Sequence, residues 1–173
     1  MTALYPLAQV PPELVEALLD RVFGEDRHNR TAYRVRAGSA QLDALSFAAL
    51  DDNDYLVGSI QCWPVKLSAD NGDEFPMIMV GPVAVDPEHQ NIGIGRALMT
   101  AMMEAMSANA PLPLVMIGDP EYYGRHFAFS AKRTQQWQLP GPFERERLLI
   151  KTIKGLKLPE AATLGPWLHP AKT

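Results

Sequence analysis

The stretch Val80-Gly-Pro-Val-Ala-Val-Asp-Pro-Glu-His-Gln-Asn-Ile-Gly-Ile-Gly-Arg-Ala-Leu98 decides how this chain is read. An apolar strand ends at Val85. A short loop then reaches Gln90-Asn91-Ile92-Gly93-Ile94-Gly95, and an amphipathic helix follows directly. Gly93 and Gly95 have no side chain to keep a ligand away from the backbone. The first turn of the helix offers unpaired N–H groups and the positive end of the macrodipole. Together these features make a site for a phosphate or pyrophosphate.

Three phosphate loops compete for this pattern. A Walker A loop needs Gly-x-x-x-x-Gly-Lys-Ser/Thr, but Arg96-Ala97 follows Gly95, so that reading fails. A Rossmann fingerprint needs Gly-x-Gly-x-x-Gly tight against a strand end. Here Leu98 stands where the third glycine belongs, and eight residues run from Asp86 to Gly93. No acidic residue follows on a later strand at the expected distance. The third pattern is Gln/Arg-x-x-Gly-x-Gly/Ala after a strand ending in Val-x-Pro. Gln90, Gly93 and Gly95 fit it, and Val85-Asp86-Pro87 fits its lead-in.

That pattern resembles the acetyl-CoA loop of the GNAT N-acetyltransferase superfamily. Gly81-Pro82-Val83-Ala84-Val85 looks like the family's central strand, which is bulged and pairs with the pantetheine arm. Pro82 cannot donate to a ladder, which suits a bulged or splayed position. A second stretch, Val115-Met-Ile-Gly-Asp-Pro-Glu-Tyr-Tyr-Gly-Arg-His-Phe-Ala-Phe129, is similar to a branch reading Gly-Asp-x-x-Tyr-Tyr-x-Arg-Phe-Gly-Phe. The resemblance runs from Leu45 to Lys132, about half the chain. It implies an α+β fold: a mixed, mostly antiparallel sheet with helices on both faces. Two splayed parallel strands, those ending at Val85 and Ile117, would form the cofactor slot.

Composition bounds the alternatives. A chain of 173 residues is one domain by the size prior, and 47% hydrophobic residues supply a core. The net charge of −4 gives no reason to expect nucleic acid, whose binders are basic. A single cysteine excludes an internal disulfide framework and suits a reducing compartment. No apolar run approaches the ~18 residues of a membrane span. The start, Met1-Thr-Ala-Leu-Tyr-Pro-Leu, lacks the pattern of a signal peptide. A cytoplasmic protein is expected.

Periodicity places the other elements. Leu4–Ala8 reads as a short strand. Pro11-Pro12 opens a helix with Leu14, Leu18, Leu19, Val22 and Phe23 on one stripe and Gly24 as its stop. The stretch from His28 to Arg36 is ambiguous, with a second helix as one reading. Leu45–Leu50 and Tyr55–Val65 read as a hairpin about a turn at Asp51–Asp54. After a polar loop from Ser68 to Glu74, Phe75–Val85 is a strand buried on both faces. The next helix, Gly95–Ser107, buries Ile94, Leu98, Ala101, Met102, Ala105 and Met106, and Pro111 ends it. Leu112–Ile117 is a strand, Tyr122–Phe127 a short helix, and Thr134–Leu139 and Arg145–Ile153 two more strands. Residues 1–155 are taken as the acyltransferase domain. Residues 156–173 are a Pro-rich tail packed on that domain or on a partner, with Leu164–Leu168 as the contact.

The resemblance assigns roles. The backbone of Val83, Ala84 and Val85 takes the pantetheine arm, and an N–H near Val83 stabilises the oxyanion. The N–H groups of Gly93, Ile94, Gly95 and Arg96 take the pyrophosphate, with Gln90 and Asn91 flanking the entry. Tyr123, with Tyr122 in reserve, protonates the leaving thiolate; a phenol near pKa ~10 suits a thiolate near ~8.5. Here the chain departs from the family. Ala128-Phe129 stands for Gly-Phe, and Tyr123 lies one residue too early, so either the helix holds an extra residue such as His126 or the acid role is lost. The general base is unassigned, because Phe75–Val85 has no carboxylate. Glu74, Asp119, Glu121, His126 and a water chain are the candidates. Trp63 and Cys62 border the expected acceptor slot, with Cys62 read as a core residue. His28, His89, His126 and His169 show no ligand spacing, so no metal is expected. The expected partner is a small-molecule or peptide amine, with no membrane and a homodimer as the default assembly. A non-catalytic acyl-CoA-binding module is the alternative function, and a nucleotide-binding oxidoreductase a third.

Overall fold

A computed structural model describes residues 2–108 and 111–168. Its strands are β1 (Ala3–Pro6), β2 (Phe47–Leu50), β3 (Leu56–Ala69), β4 (Glu74–Val85), β5 (Leu114–Ile117), β6 (Gln136–Gln138), β7 (Leu148–Lys151) and β8 (Ala161–Pro166). Its helices are α1 (Pro12–Phe23), α2 (Thr31–Val35), α3 (Ile94–Ser107) and α4 (Pro120–Phe127). Hydrogen bonds link the strands in the order β1-β2-β3-β4-β5-β7, with β8 on β3 and β6 on β8. The β4–β5 and β6–β8 pairs are parallel. The β1–β2, β2–β3, β3–β8 and β5–β7 pairs are antiparallel. The sheet is therefore mixed and mostly antiparallel, as expected. Two compact units divide the chain, and the long strands β3 and β4 run through both.

The first unit holds residues 2–28, 41–62 and 80–108. Pro12 opens α1, and the N–H of Gly24, at φ +93°, closes it on the Asp20 carbonyl at 2.8 Å. The buried stripe is Val15, Leu18 and Leu19, packed with Leu7, Val10, Ala48 and Ala84. Leu14 is 50% exposed, because a stripe through Val15, Leu18 and Val22 leaves it on the outer edge of the helical turn. On α3 the buried residues are Ile94, Leu98, Met99, Met102 and Met106. Met99 thus takes the place expected of Ala101 and Ala105, which are only half-buried. A Cβ on Gly58 would meet Ile94 Cγ2 at 2.8 Å, so a glycine lets α3 lie close on β3. Ala48 pairs with Ser59, the neighbour of Gly58. Successive residues point to opposite faces, so α1 and α3 cover the two sides of this part of the sheet.

The second unit holds residues 29–40, 63–79 and 111–168. Its core joins Val65 and Leu67 of β3, Met77 and Met79 of β4, Val115, Leu148 and Ile150, with Val35 of α2 above them. The ambiguous stretch resolves into a 3-10 turn at Glu25–Asn29 and the short α2. The parallel β4–β5 register is two pairs long, Ile78↔Leu114 and Met79↔Val115. Both strands continue beyond it, β5 to Ile117 and β4 to Val85. That short ladder between parallel strands fits the expected cofactor slot.

The segment after Lys154 differs most from the sequence reading, which found no periodicity there. Ala161–Pro166 is β8, paired Leu67↔Leu164 with β3 and Trp137↔Ala162 with β6. Leu164 is 1% exposed inside this core, whereas Leu168 is 53% exposed. A six-residue strand flanked by prolines is too short for its alternation to stand out. Leu164→Ala is expected to lower stability by about 2–5 kcal/mol in a denaturant titration. A cost near zero would mean that β8 is a dispensable tail. The predicted His169 lies outside the described residues.

Candidate active site

In the first unit, Asp86 ends β4 and organises the loop beyond it. Its carboxylate accepts from the Glu88 N–H at 3.0 Å and from Arg21 Nη2 at 3.0 Å. A 3-10 turn spans Pro87–His89. Gln90 then turns its Nε2 back on the Val85 carbonyl at 3.5 Å. Asn91 and Gly93 take left-handed conformations, φ +66° and +89°, and α3 starts at Ile94. This is why the loop needs a glycine at 93: most side chains are strained at that φ.

The first intrahelical bond of α3 runs from the Ala97 N–H to the Gly93 carbonyl at 3.0 Å. The N–H groups of Gly93, Ile94, Gly95 and Arg96 precede that ladder. Gly93 caps the helix without a side-chain bond, and the first turn contains no acidic residue. Most helices neutralise this end with a carboxylate or a serine-type cap; α3 leaves it positive and adds Arg96. A groove of about 540 Å³ flanks α3, lined by Gly93, Arg96, Ala97, Thr100, Ala101 and Glu104 together with Leu4 of β1. The structure thus brings the four predicted donors together at an open helix start. Val83 and Val85 are half-buried at the end of β4, and Ala84 is buried against the α1 cluster.

In the second unit, Asp119 caps α4 by accepting from the Glu121 N–H at 3.0 Å. Tyr123 lies one turn in. A Cβ on Gly118 would sit 2.8 Å from Tyr123 Cε2, so the phenol ring occupies space that only glycine leaves open. Phe129 and Tyr122 meet the ring edge-on, with centroids at 6.3 and 5.0 Å. Burial, reinforced by Tyr122 and Asp119 and opposed by Arg147, pushes the Tyr123 phenol up to about 12. It stays protonated at neutral pH. Tyr122 packs instead on His126, 4.8 Å away. The role of Gly118 as a seat for this ring is a signal the sequence reading passed over.

The end of α4 is wider than an ordinary helical turn. Helix α4 runs on to Phe127, where the Ala128 N–H reaches the carbonyls of both Gly124 and Tyr123. The Phe129 N–H also bonds to the Tyr123 carbonyl, at 3.2 Å. Bonds spanning five and six residues mark a widened last turn. The Asp119–Tyr123 turn before it is regular, with the Tyr123 N–H on the Asp119 carbonyl at 3.0 Å. Ala128 closes the helix at φ +62°, where glycine is favoured. Ala128→Gly is expected to raise stability by about 1 kcal/mol, a rise of roughly 2–4 °C in melting temperature. A lower melting temperature would show that Ala128 is unstrained.

The carboxylates nearest these motifs in sequence have other work. Glu74 pairs with Lys66 at 2.7 Å, Asp119 is a cap, and Glu121 is exposed and 3.9 Å from Arg125. His126 is exposed. Cys62 is 0% exposed, and burial pushes its thiol far up, so it is an inert core group.

Residues 13–126 match the family model described as acetyltransferase (GNAT) domain. The chain belongs to the GNAT acetyltransferase family. A curated relative, the uncharacterized N-acetyltransferase YhbS of Escherichia coli strain K12, is 25% identical over 146 residues, which cover 82% of this chain and 84% of that one. The crystal structure of a GNAT protein of the same name from Escherichia coli, in complex with CoA, aligns at a TM-score of 0.70. It is 20% identical and covers 98% of this chain and 90% of that one. A GNAT acetyltransferase from Brucella melitensis in complex with acetyl-CoA gives 0.60 and 22% identity, covering 95% of each chain.

Proposed function

We propose that this GNAT protein transfers an acetyl group from acetyl-CoA to an amine by direct attack. The observation that carries this is the uncapped, unneutralised start of α3, where four backbone N–H groups precede the helical ladder and Gly93 and Arg96 line a groove. Gly93, Ile94, Gly95 and Arg96 hold the pyrophosphate, and Gln90 and Asn91 flank it. The backbone of Val83, Ala84 and Val85 takes the pantetheine arm, and the N–H near Val83 stabilises the tetrahedral oxyanion. Tyr123, with its ring seated against Gly118, donates a proton to the departing thiolate. CoA and acetyl-CoA in the Escherichia coli and Brucella structures support acetyl-CoA as the cosubstrate.

The acceptor is a small-molecule or peptide amine. The acyltransferase domain is placed at 1–155, with 156–173 joined to it through β8. A cytoplasmic setting follows from the single cysteine and the cofactor, and a homodimer is the expected assembly. No helix among the described residues is long and apolar enough to cross a membrane.

The test is to incubate the protein with acetyl-CoA and a panel of amino acids, polyamines and peptides, measuring thiol release and product mass. A product one acetyl group heavier, formed only with the protein, is expected. Binding of acetyl-CoA with no transfer to any amine would favour a non-catalytic acyl-CoA-binding module. The paired or capping state of Glu74 and Asp119 is the observation on that side.

A further inference from the structure

The proposed transfer needs a route for the proton of the acceptor ammonium, and β4 beyond Glu74 has no carboxylate. The neighbouring strand β3 carries two polar side chains inside the first unit. Ser59 is 0% exposed and Gln61 is 7% exposed. They stand two residues apart and project from one face. That is the face of Ala48, the partner of Ser59 in β2 and a member of the apolar cluster around α1. Gln61 is held there by its Nε2, which donates to Gln41 Oε1 at 2.7 Å. Among the described residues its own Oε1 has no partner, and neither has Ser59 Oγ.

Native interiors rarely leave two such oxygens unmet. A buried water, which makes about three hydrogen bonds, settles where polar groups lack partners. The site also lies beside the chemistry proposed for β4. The Asp86 N–H bonds to the Val57 carbonyl at 2.8 Å, and a Cβ on Gly58 would lie 3.3 Å from the Ala84 carbonyl. Counting along the two strands from these contacts sets Ser59 and Gln61 against the Pro82–Ala84 stretch.

We propose that Ser59 and Gln61 hold an ordered water beside Pro82–Ala84, and that this water takes the proton of the acceptor ammonium; the inference rests on the acetyltransferase reading above. The N–H bond of the ammonium breaks and its proton passes through the water to solvent. The freed lone pair forms the C–N bond, the nitrogen gives up its second proton through the same water, the C–S bond breaks, and the thiolate takes its proton from Tyr123, which solvent reloads. Ser59 and Gln61 do not titrate in this step. They are positioning residues that aim the water: Gln61 Oε1 accepts from it and Ser59 Oγ completes its shell.

Two measurements test this. The first is a crystal structure of the full chain with CoA, in which a water within about 3 Å of both oxygens is expected. A dry site, with both oxygens bonded to protein groups, overturns the inference. The second compares n-butylamine, an ammonium ion at neutral pH, with hydroxylamine, which is already largely unprotonated there. Ser59→Ala and Gln61→Leu should lower kcat with n-butylamine about tenfold or more. They should leave the rate with hydroxylamine and the KM for acetyl-CoA unchanged. An equal loss on both amines would mark a structural defect, and no loss on either would remove the relay. If the protein acetylates neither amine, the crystal structure decides. Failure of the unmodified protein to bind acetyl-CoA would instead overturn the proposed function itself, whereas intact binding with indifferent variants overturns the relay alone.

Discussion

Gly95→Glu is expected to weaken acetyl-CoA binding by about 100-fold or more, some 2.8 kcal/mol, while leaving the melting temperature level or higher. The free protein has room for a Cβ at this position, which meets only Val85 Cγ2, at 3.7 Å. A glutamate in the first turn of α3 also suits the helix. It replaces a poor helix former and places a negative charge at the positive end, which stabilises by about 0.3–1 kcal/mol. In the proposed complex the same charge would face the pyrophosphate. Two like charges about 4 Å apart near a protein surface repel by roughly 4 kcal/mol, so repulsion outweighs the helix gain. Gly95→Ala, a small neutral change, should weaken binding only a few-fold. Gly93 makes a poorer probe because its φ of +89° strains most substitutions in the free protein. Calorimetric titration of the three proteins, beside their melting curves, checks the series. Equal affinities would show that α3 does not hold the phosphates.

Tyr123→Phe should lower kcat by about 100-fold, the lower end of what a positioned acid contributes. The KM for acetyl-CoA should hardly move. The substitution keeps the ring over Gly118 and its edge contacts with Tyr122 and Phe129, so packing alone cannot account for the loss. Tyr122→Phe should leave kcat within about threefold, since a surface-side ring change usually costs little. The pH dependence follows from the raised pKa. Burial disfavours tyrosinate, so the phenol is protonated through the neutral range and deprotonates only near 12. Activity should show no alkaline fall from Tyr123 below about pH 11. The stability this raised pKa contributes is complete below the unfolded value near 10 and is lost as pH rises through the folded one. Initial rates from pH 6 to 10 with an accepted amine check the first part. An activity limb near pH 8 that Tyr123→Phe abolishes would contradict it.

The legible parts of this chain were those whose local rules and burial agreed. Gly93 and Gly95 sit between a buried strand and an amphipathic helix, and the structure puts the four expected N–H donors at one helix start. Pro12 and Gly24 bracket α1 as proline and glycine do at helix ends. The misreadings have equally local causes. Leu14 shares the apolar character of Val15 but falls outside the arc that faces Leu7 and Ala48. The six residues of β8 are held by long-range pairing with β3 and β6 rather than by their own pattern. The spacing from Tyr123 to Phe129 departs from the motif the chain resembles, and the widened turn at Ala128 was not legible in it. The buried pair Ser59 and Gln61 reads as an ordinary polar half of a strand. Its burial depends on α1, from a distant part of the sequence.

The most direct test of the central claim is calorimetric titration of the unmodified chain with acetyl-CoA, with NAD as the control. Micromolar binding of acetyl-CoA and none of NAD is the result expected from a pyrophosphate seat at Gly93–Arg96 with a pantetheine-binding β4. A folded protein that binds neither ligand, or binds NAD alone, would mean that the start of α3 is only a helix end and that this chain keeps the GNAT fold without its cosubstrate.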